Sequence, residues 1–162
     1  MTASVPTRTV ADLSHLLSQA SHVLTTQMAA AFAEIAITPR EYCVLFHARE
    51  AERTQIQLAK ISDLDKTTMV VTVDELEKAG LAERRPSTTD RRARIIAVTE
   101  AGERAVSDGM RVADRVHREV LAALPENQRD LFVGMLTGLV DGRLSAPAES
   151  EHAVRRPRQR KI

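Results

Sequence analysis

The chain has 162 residues, of which 43% are hydrophobic and 28% are charged, so it can form one domain with a buried core. Its 23 basic and 22 acidic residues give a net charge of +1, which by itself argues against a histone-like polycation. One cysteine excludes an intrachain disulfide and a cysteine-based zinc finger, and an aromatic content of 2% argues against a base-stacking platform.

No apolar run approaches the roughly 18 residues that a membrane span requires. The first residues carry neither the apolar segment nor the cleavage site of a signal peptide. We therefore expect a cytoplasmic protein with no membrane partner, in which residues 1–8 form a flexible N-terminus.

A long amphipathic helix is predicted from about Thr9 to Ile35, where apolar residues recur every three or four positions without Gly or Pro. The next helix begins at residues 38–41 (TPRE), which combine an N-cap, a first-turn proline and a capping box. This second helix runs to about Arg49. Its predicted inner face carries Tyr42, Leu45 and Phe46.

Two short helices joined by a turn follow, which is the signature of a helix-turn-helix. Residues 54–57 form a second capping box, and the helix that they open ends near Ile61. Asp65 can cap the next helix, residues 66–79, and Gly80 fits the left-handed position after it. The predicted inner face of this recognition helix carries Met69, Val73 and Leu76.

The hydrophobic period changes after the recognition helix. Residues 81–85 and 94–98 read as strands, and turn-forming residues occupy 86–90 between them. A hairpin directly behind a recognition helix is a wing. The predicted fold is therefore mainly α-helical with a small β-hairpin wing, a winged helix-turn-helix over residues 38–98.

Two further helices are predicted after the hairpin, one from Thr99-Glu100 to about Ala123 and a last one from Pro125. The apolar stripe of the first comprises Val106, Met110, Ala113, His117, Val120 and Leu124. On the last helix we expect Leu131, Phe132, Met135, Leu136, Leu139 and Val140 to face inward. Because these terminal helices and the first helix are too apolar to stand alone, we expect a dimer; the alternative is a monomer whose terminal helices pack on its own winged lobe.

Residues 145–162 are rich in Ala, Pro, Ser, Glu and Arg and cannot pack a core, so they are predicted to be a disordered basic tail. Five cations lie within residues 155–161. They either add non-specific DNA affinity through counterion release or serve only as a solubilising end.

Positive charge is also concentrated in the wing. Residues 84–94 contain five arginines (Arg84, Arg85, Arg91, Arg92 and Arg94) against the single acid Asp90. A narrow arginine-bearing loop behind a helix-turn-helix can insert into the DNA minor groove. The alternative is an ordinary solvated hairpin face.

The stretch GLAERRPSTTDRRARIIAVTEAG, residues 80–102, resembles the wing of the MarR family, the multiple antibiotic resistance regulators. The residues that carry the resemblance are Gly80-Leu81, Arg84, Asp90-x-Arg92 and Thr99. Upstream, ITPREYCVL is similar to the family's second helix, and the order of elements matches over about residues 10–143.

The resemblance implies a homodimeric winged helix-turn-helix repressor or activator, not an enzyme, and without a cofactor. Residues 9–36 and 99–144 would supply the dimerisation helices of one MarR-like domain that spans residues 9–144. A two-fold dimer places its two recognition helices about one DNA turn apart, roughly 34 Å, and so reads a palindromic operator in double-stranded DNA.

The resemblance assigns Arg92 to the position that enters the minor groove and Asp90 to holding it, a role that suits a bidentate carboxylate–guanidinium pair. Arg91 and Arg94 are predicted phosphate contacts. On the recognition helix Lys66 suits a phosphate. The predicted DNA-binding residues are Lys66, Thr67, Thr68, Val70, Val71, Arg84, Asp90, Arg91, Arg92 and Arg94.

The recognition helix departs from the family's pattern at Val70-Val71, where many members have Ser followed by Arg. A guanine-reading arginine is therefore absent there. Exposed valines can instead contact thymine methyl groups; the alternative is that one of them belongs to the core. The valine pair also motivates a second hypothesis, a winged-helix protein-interaction module without specific DNA binding.

The family's effector pocket lies between the dimerisation helices and the DNA-binding lobe. This makes His22, Cys43, His47 and His117 candidate residues for binding a small-molecule effector. Cys43 and His47 share a helix face at i, i+4 spacing, which also leaves a metal- or redox-responsive regulator open. The plainer alternatives are a buried apolar cysteine and histidines that only form hydrogen bonds.

Two chemical functions find little support in the sequence. Peroxide-sensing relatives carry a reactive cysteine near the start of the first helix with tyrosines nearby, and this chain has neither there. An enzyme using Cys43 and His47 lacks a third polar group, a phosphate loop or a carboxylate pair. We therefore expect no catalytic residues and no metal site.

Overall fold

A computed structural model describes residues 12–90 and 92–146 of the chain. Within these residues the fold is mainly helical with one antiparallel hairpin, as predicted. In chain order its elements are α1 (Leu13–Phe32), α2 (Pro39–Glu50), α3 (Gln55–Ile61), α4 (Lys66–Lys78), β1 (Ala82–Pro86), β2 (Arg94–Val98), α5 (Glu100–Ala122) and α6 (Glu126–Asp141). A 3-10 turn, Ala33–Ile35, continues α1. The predicted flexible N-terminus and nearly all of the predicted basic tail lie outside the described residues.

The helix starts follow from local hydrogen bonds. Thr38 Oγ1 accepts from the Glu41 amide at 3.1 Å, and the Glu41 carboxylate accepts from the Thr38 amide at 2.7 Å. Thr54 and Gln57 form the same reciprocal pair at the start of α3, at 3.3 and 2.8 Å. Both predicted capping boxes are confirmed, and each satisfies two amides that the first helical turn leaves without partners.

The described residues form two compact units, which divide between Glu119 and Val120. In the first unit, α2, α3, α4, the hairpin and the start of α5 enclose one apolar core. Its members include Val44, Leu45, Leu58, Met69, Val73, Leu76, Ile96 and Val106. A second cluster joins the end of α1 to α5 through Phe32, Ile37, Val112 and Ala113. The winged lobe therefore has its own core.

The buried face of α5 matches the predicted stripe at Val106 and Ala113 and differs from it elsewhere. Met110, His117 and Val120 are exposed, and the buried residues are Gly102, Val106, Gly109, Val112, Ala113 and Val116. Gly109 explains the difference, because a Cβ there would lie 2.3 Å from Cδ2 of Tyr42. The tyrosine ring packs directly on the helix backbone, so glycine rather than a larger apolar residue marks the buried face.

The terminal helices present uncovered apolar side chains. The prediction that the apolar residues of α6 face inward is wrong for the single chain, because α6 buries none of its residues. Phe132 is 43% exposed and Met135 is 56% exposed. Likewise, α1 buries Phe32 but leaves Leu13 and Leu16 more than half exposed. No helix among the described residues has the length and apolar character of a membrane span.

Candidate nucleic-acid interface

The start of the recognition helix α4 is fixed by Asp65. Its Oδ1 accepts from the amides of Thr67 and Thr68 at 2.9 and 3.0 Å, and its Oδ2 accepts from the Thr68 hydroxyl at 2.5 Å. These hydrogen bonds, with that of the Thr68 hydroxyl as the largest cause, lower the pKa of the Asp65 carboxyl. Thr68 was predicted to contact DNA, but its hydroxyl hydrogen is donated to Asp65 within the protein. Lys66 and Thr67 are exposed.

The remaining face of α4 divides as its helical spacing predicts. Met69, Val73 and Leu76 are at most 1% exposed and belong to the core. Val70 is 36% exposed and Val71 is 49% exposed, so neither belongs to the core. Val71, with Thr67 and Asp74 on the same side of the helix, forms part of the outward surface.

The wing, which comprises β1, β2 and the turn between them, is joined to the start of α3. β1 and β2 pair antiparallel with Arg84 opposite Ile96. Thr54 forms an isolated bridge with Ile95, and the Ile96 amide donates to the Arg53 carbonyl at 3.1 Å. These backbone bonds hold the hairpin beside the helix-turn-helix, which places the wing turn and α4 on one lobe.

The structure places Arg84 in an ion-pair network instead of leaving it free for DNA. Its guanidinium donates to Oδ1 of Asp74 at 2.7 Å, to Oε2 of Glu77, and to Oε1 of Gln55 at 3.3 Å. The Arg84 amide also donates to Glu77 Oε1 at 2.7 Å. Arg84 thus ties β1 to the recognition helix, a role that sequence spacing did not reveal because it depends on how the hairpin packs against α4.

The relation between Asp90 and Arg92 also differs from the prediction. Oδ1 of Asp90 accepts from the backbone amide of Arg92 at 2.9 Å, and the described residues show no ion pair between the two side chains. The carboxylate therefore shapes the wing turn, as Asp commonly does two residues ahead of an amide. It orients Arg92 through the backbone.

Glu52 fastens the other side of the wing turn. Its carboxylate accepts from the Ser87 hydroxyl at 2.7 Å and from the Thr88 amide at 3.1 Å. These hydrogen bonds, that of Ser87 first, lower the pKa of the Glu52 carboxyl below its ordinary value because they favour the charged form. The role of Glu52 was not predicted from the sequence because this residue lies 35 positions before Ser87.

Two arginines of the wing remain available for contacts outside the chain. Arg92 and Arg94 are exposed, and their guanidinium groups form no hydrogen bond or ion pair with any residue that the structure describes. Arg85 Nη1 lies 3.7 Å from Glu83 Oε1. Arg91 lies outside the described residues, so its predicted phosphate contact stays a prediction. The patch of positive charge predicted from the sequence is therefore smaller in the structure, because Arg84 is paired with acids of α4.

The four candidate effector residues are not brought together. His22 and His117 are exposed on α1 and α5. Cys43 Sγ lies 3.7 Å from Ser62 Oγ, and His47 Nδ1 lies 3.2 Å from Glu50 Oε2. Within the described ranges no three metal-ligating side chains form a cluster.

A cavity that the sequence analysis did not identify lies between the 3-10 turn and α5. It has a volume of about 420 Å³ and is lined by Ile35, Asp108, Arg111, Val112, Arg115 and Arg118. Arg115 donates to Glu34 Oε2 at 2.9 Å, which raises the pKa of its guanidinium. The available signal was the spacing of Arg111, Arg115 and Arg118, which places three cations on one side of α5.

Comparison with known proteins agrees with this geometry. Residues 37–93 match the model of the MarR family. The chain is similar to CouR from Rhodococcus jostii RHA1 bound to p-coumaroyl-CoA, with 28% identity, a TM-score of 0.72, and coverage of 87% of this chain and 96% of that one. A MarR-family transcriptional regulator from Rhodococcus sp. RHA1 is 27% identical with a TM-score of 0.72, over 83% of this chain and 96% of that one.

A further similar structure is the transcriptional repressor CouR bound to a 23-mer DNA duplex, with 25% identity, a TM-score of 0.70, and coverage of 79% of this chain and 92% of that one. The family model covers the winged lobe, and the structural similarities extend over the helices on both sides of it. Together they show that residues 37–93 match the MarR family and that the chain is similar in fold to winged helix-turn-helix transcription regulators of that family.

Proposed function

We propose that the protein is a dimeric, sequence-specific DNA-binding repressor, with α4 in the major groove of a palindromic operator and the wing turn in the adjacent minor groove. The observation that carries this proposal is the availability of Arg92 and Arg94, which extend from a fastened hairpin and whose guanidinium groups have no partner among residues 12–90 and 92–146. Unpaired guanidinium groups on such a loop suit phosphates and the negative potential of a narrow minor groove.

The similarity to CouR supports DNA as the partner, because that repressor was solved on a DNA duplex. Lys66, at the first position of α4, adds a cation where the helix would meet the phosphate backbone. Since the proposed operator is genomic DNA, the proposed place of action is the cytoplasm. Thr67 and Val71 would face the bases.

Dimerisation is proposed from the uncovered apolar surfaces of the terminal helices. A surface of this kind is costly in water and is typical of a protein–protein interface. The exposed apolar residues include Leu13, Leu16 and Val23 on α1 and Leu131, Phe132, Met135 and Val140 on α6. A second copy of the chain is the partner that the family fold implies, and two copies are needed to read both halves of a palindrome.

An electrophoretic mobility shift assay on the DNA upstream of the protein's own gene, repeated across salt concentrations, tests DNA binding. We expect a sequence-specific complex whose affinity falls steeply with salt, because phosphate contacts release counterions. A complex without sequence preference at any salt concentration would contradict the regulator and favour the protein-interaction module. That second candidate rests on Val70 and Val71, since exposed apolar residues also suit a protein partner.

For the effector we propose an anionic, partly apolar small molecule in the arginine-lined cavity. The cavity has Ile35 and Val112 as apolar walls and three guanidinium groups around them. Arg111 is paired with Asp108 and Arg115 with Glu34, so Arg118 is the cation of this group without an acidic partner among the described residues. Such a site suits a ligand with an apolar body and a phosphate or carboxylate. The p-coumaroyl-CoA held by CouR belongs to this chemical class. Binding would favour a dimer state whose α4 helices no longer match the operator.

Thermal denaturation with and without p-coumaroyl-CoA tests this proposal, because a ligand of the native state raises its apparent stability. We expect a shift that Arg118→Ala reduces and that the control Arg104→Ala, on the same helix outside the cavity, leaves unchanged. Loss of the shift in Cys43→Ala or His47→Ala, with Arg118→Ala unaffected, would instead support the pocket predicted from the sequence around His22, Cys43, His47 and His117.

A further inference from the structure

The outward face of α4 carries two unusual apolar side chains. Val70 and Val71 are exposed although they lie one turn after the polar Lys66 and Thr67, and the core on the other side of the helix is complete without them. Exposed valine in a helix gains little from propensity, since β-branched residues lose side-chain freedom there. Their surface is therefore available for an apolar contact outside the single chain.

The charge around the two valines suits duplex DNA. Asp74 lies four residues after Val70 and three after Val71. It is paired with Arg84 at 2.7 Å, and Glu77 shares the same guanidinium, so the negative charge of Asp74 is partly compensated. Lys66 lies one turn before Val70 and is exposed. The valines thus occupy an apolar patch between a cation and a partly compensated acid, which reduces the repulsion from phosphates.

Among the base edges of the major groove, the C5-methyl of thymine is the apolar group. We propose, on the basis of the DNA-binding function above, that Val70 and Val71 are specificity-determining residues that contact thymine C5-methyl groups in each operator half-site. The χ1 angle of valine in a helix is nearly fixed, so its methyl groups are held in place before DNA binds.

Recognition by these residues depends on a methyl group and on no hydrogen bond from the two side chains. Replacement of thymine by deoxyuridine, which lacks only the C5-methyl, should therefore weaken binding at the contacted positions. Conversely, 5-methylcytosine presents a methyl group at the same ring position. Where a contacted thymine is replaced by cytosine, methylation of that cytosine should restore part of the lost affinity.

The experiment uses the full chain and a duplex selected by it from a randomised DNA library. Each thymine of the selected half-site is replaced singly by deoxyuridine, and the dissociation constants are compared. We expect one or two positions per half-site to lose about threefold to tenfold in affinity, the scale of one buried methyl group. Thymines outside these positions serve as controls.

The same duplexes are then measured with Val70→Ala and Val71→Ala, which shorten exposed side chains and leave the core intact. If a valine contacts the methyl group, the penalty for deoxyuridine disappears in the corresponding variant, as in a double-mutant cycle. Ile56→Ala is the matched control, because Ile56 is an exposed apolar residue on α3, outside α4.

The outcomes separate this inference from the proposed function. Two results would overturn the thymine contact but leave the proposed regulator function intact. One is specific binding without any loss of affinity for deoxyuridine. The other is a loss that Val70→Ala and Val71→Ala leave unchanged. A penalty that is lost only in Ile56→Ala assigns the methyl contact to α3 and also overturns it. Failure to enrich any sequence removes both the regulator and the inference.

Discussion

Arg84 on β1 and Asp74 on the recognition helix form an ion pair, with the guanidinium Nη2 2.7 Å from the carboxylate Oδ1. Glu77, one turn further along α4, bonds the same guanidinium and the Arg84 amide. The side chain of Arg84 is only 29% exposed, so the network is partly protected from solvent. Arg84 therefore both links the wing to α4 and partly compensates the charge of two acids beside the proposed DNA surface.

We expect Arg84→Ala to weaken operator binding about tenfold, or by about 1.4 kcal/mol, although Arg84 itself touches no DNA in our proposal. The loss would leave Asp74 and Glu77 uncompensated near phosphates and would loosen β1. Fluorescence anisotropy with a labelled operator duplex measures the change. Arg104→Ala removes the same charge from a distant exposed pair with Glu100 and should change affinity little.

The double variant Arg84→Ala/Asp74→Ala distinguishes the two consequences of the ion pair. If charge compensation dominates, removal of the acid should restore most of the lost affinity. If the double variant binds as weakly as Arg84→Ala, the link between β1 and α4 is the more important contribution. Equal binding by Arg84→Ala and the unchanged protein would refute both roles.

Arg92→Ala should lower operator affinity by roughly 1–3 kcal/mol, on the scale of a specific DNA contact. The groove can be tested with modified bases. Replacing A·T by inosine·C pairs at the wing contact alters the major-groove edge but keeps the minor groove free of the guanine amino group. Minor-groove contact predicts that G·C pairs weaken binding there and that inosine·C pairs do not; equal losses would contradict it.

Gly109→Ala should destabilise the fold by about 1–3 kcal/mol, because the added methyl group would overlap the ring of Tyr42. Chemical denaturation measures the free energy of unfolding. Ser107→Ala is the matched control, since Ser107 is exposed two residues earlier on α5 and should tolerate alanine. A Gly109→Ala variant as stable as Ser107→Ala would show that the Tyr42 ring moves aside at little cost.

Phe132→Glu should convert the proposed dimer into a monomer, because a charge would be placed within the exposed apolar surface of α6. Sedimentation equilibrium measures the mass, and the operator affinity should fall with it. Gln128→Glu, which adds the same charge to a polar exposed position of α6, should remain dimeric. A monomeric unchanged protein at micromolar concentration would contradict dimerisation.

The wing turn should respond to acid through Glu52. Because hydrogen bonds lower the pKa of this carboxyl, its stabilising contribution is complete above the ordinary value of 4.5 and is lost as the pH falls through the lowered pKa. The NMR shift of the Thr88 amide, which donates to Glu52, should titrate below pH 4.5. In Glu52→Gln the titration should vanish; if it persists, another group is responsible.

The helix starts and the division of α4 into two faces could be predicted because they depend on neighbours in the sequence. Thr38, Thr54 and Asp65 satisfy amides two or three residues away, and Met69, Val73 and Leu76 follow the helical period. The wing turn followed from its turn-forming residues. These features required no knowledge of distant contacts.

The partners of the functional side chains could not be predicted in this way. Arg84 was predicted to bind DNA and Glu52 was given no role, whereas folding brings them to Asp74 and Ser87, ten and 35 positions away. The buried face of α5 was predicted only in part for a related reason, since only the position of Tyr42 shows that Gly109 lies inside. The sequence spacing puts three arginines on one side of α5, but only the fold shows that they line a cavity together with Ile35.

The sequence by itself determined the order of elements and the winged helix-turn-helix, because helical periodicity, caps and turn residues act over a few positions. Whether both Val70 and Val71 lie outside the core was left open by the sequence and is decided by the fold. Tertiary structure decided which wing arginines are neutralised and which stay available, and which apolar residues the single chain leaves uncovered. The physical reason is that ion pairing and burial depend on distances between residues far apart in the chain, which local spacing does not specify.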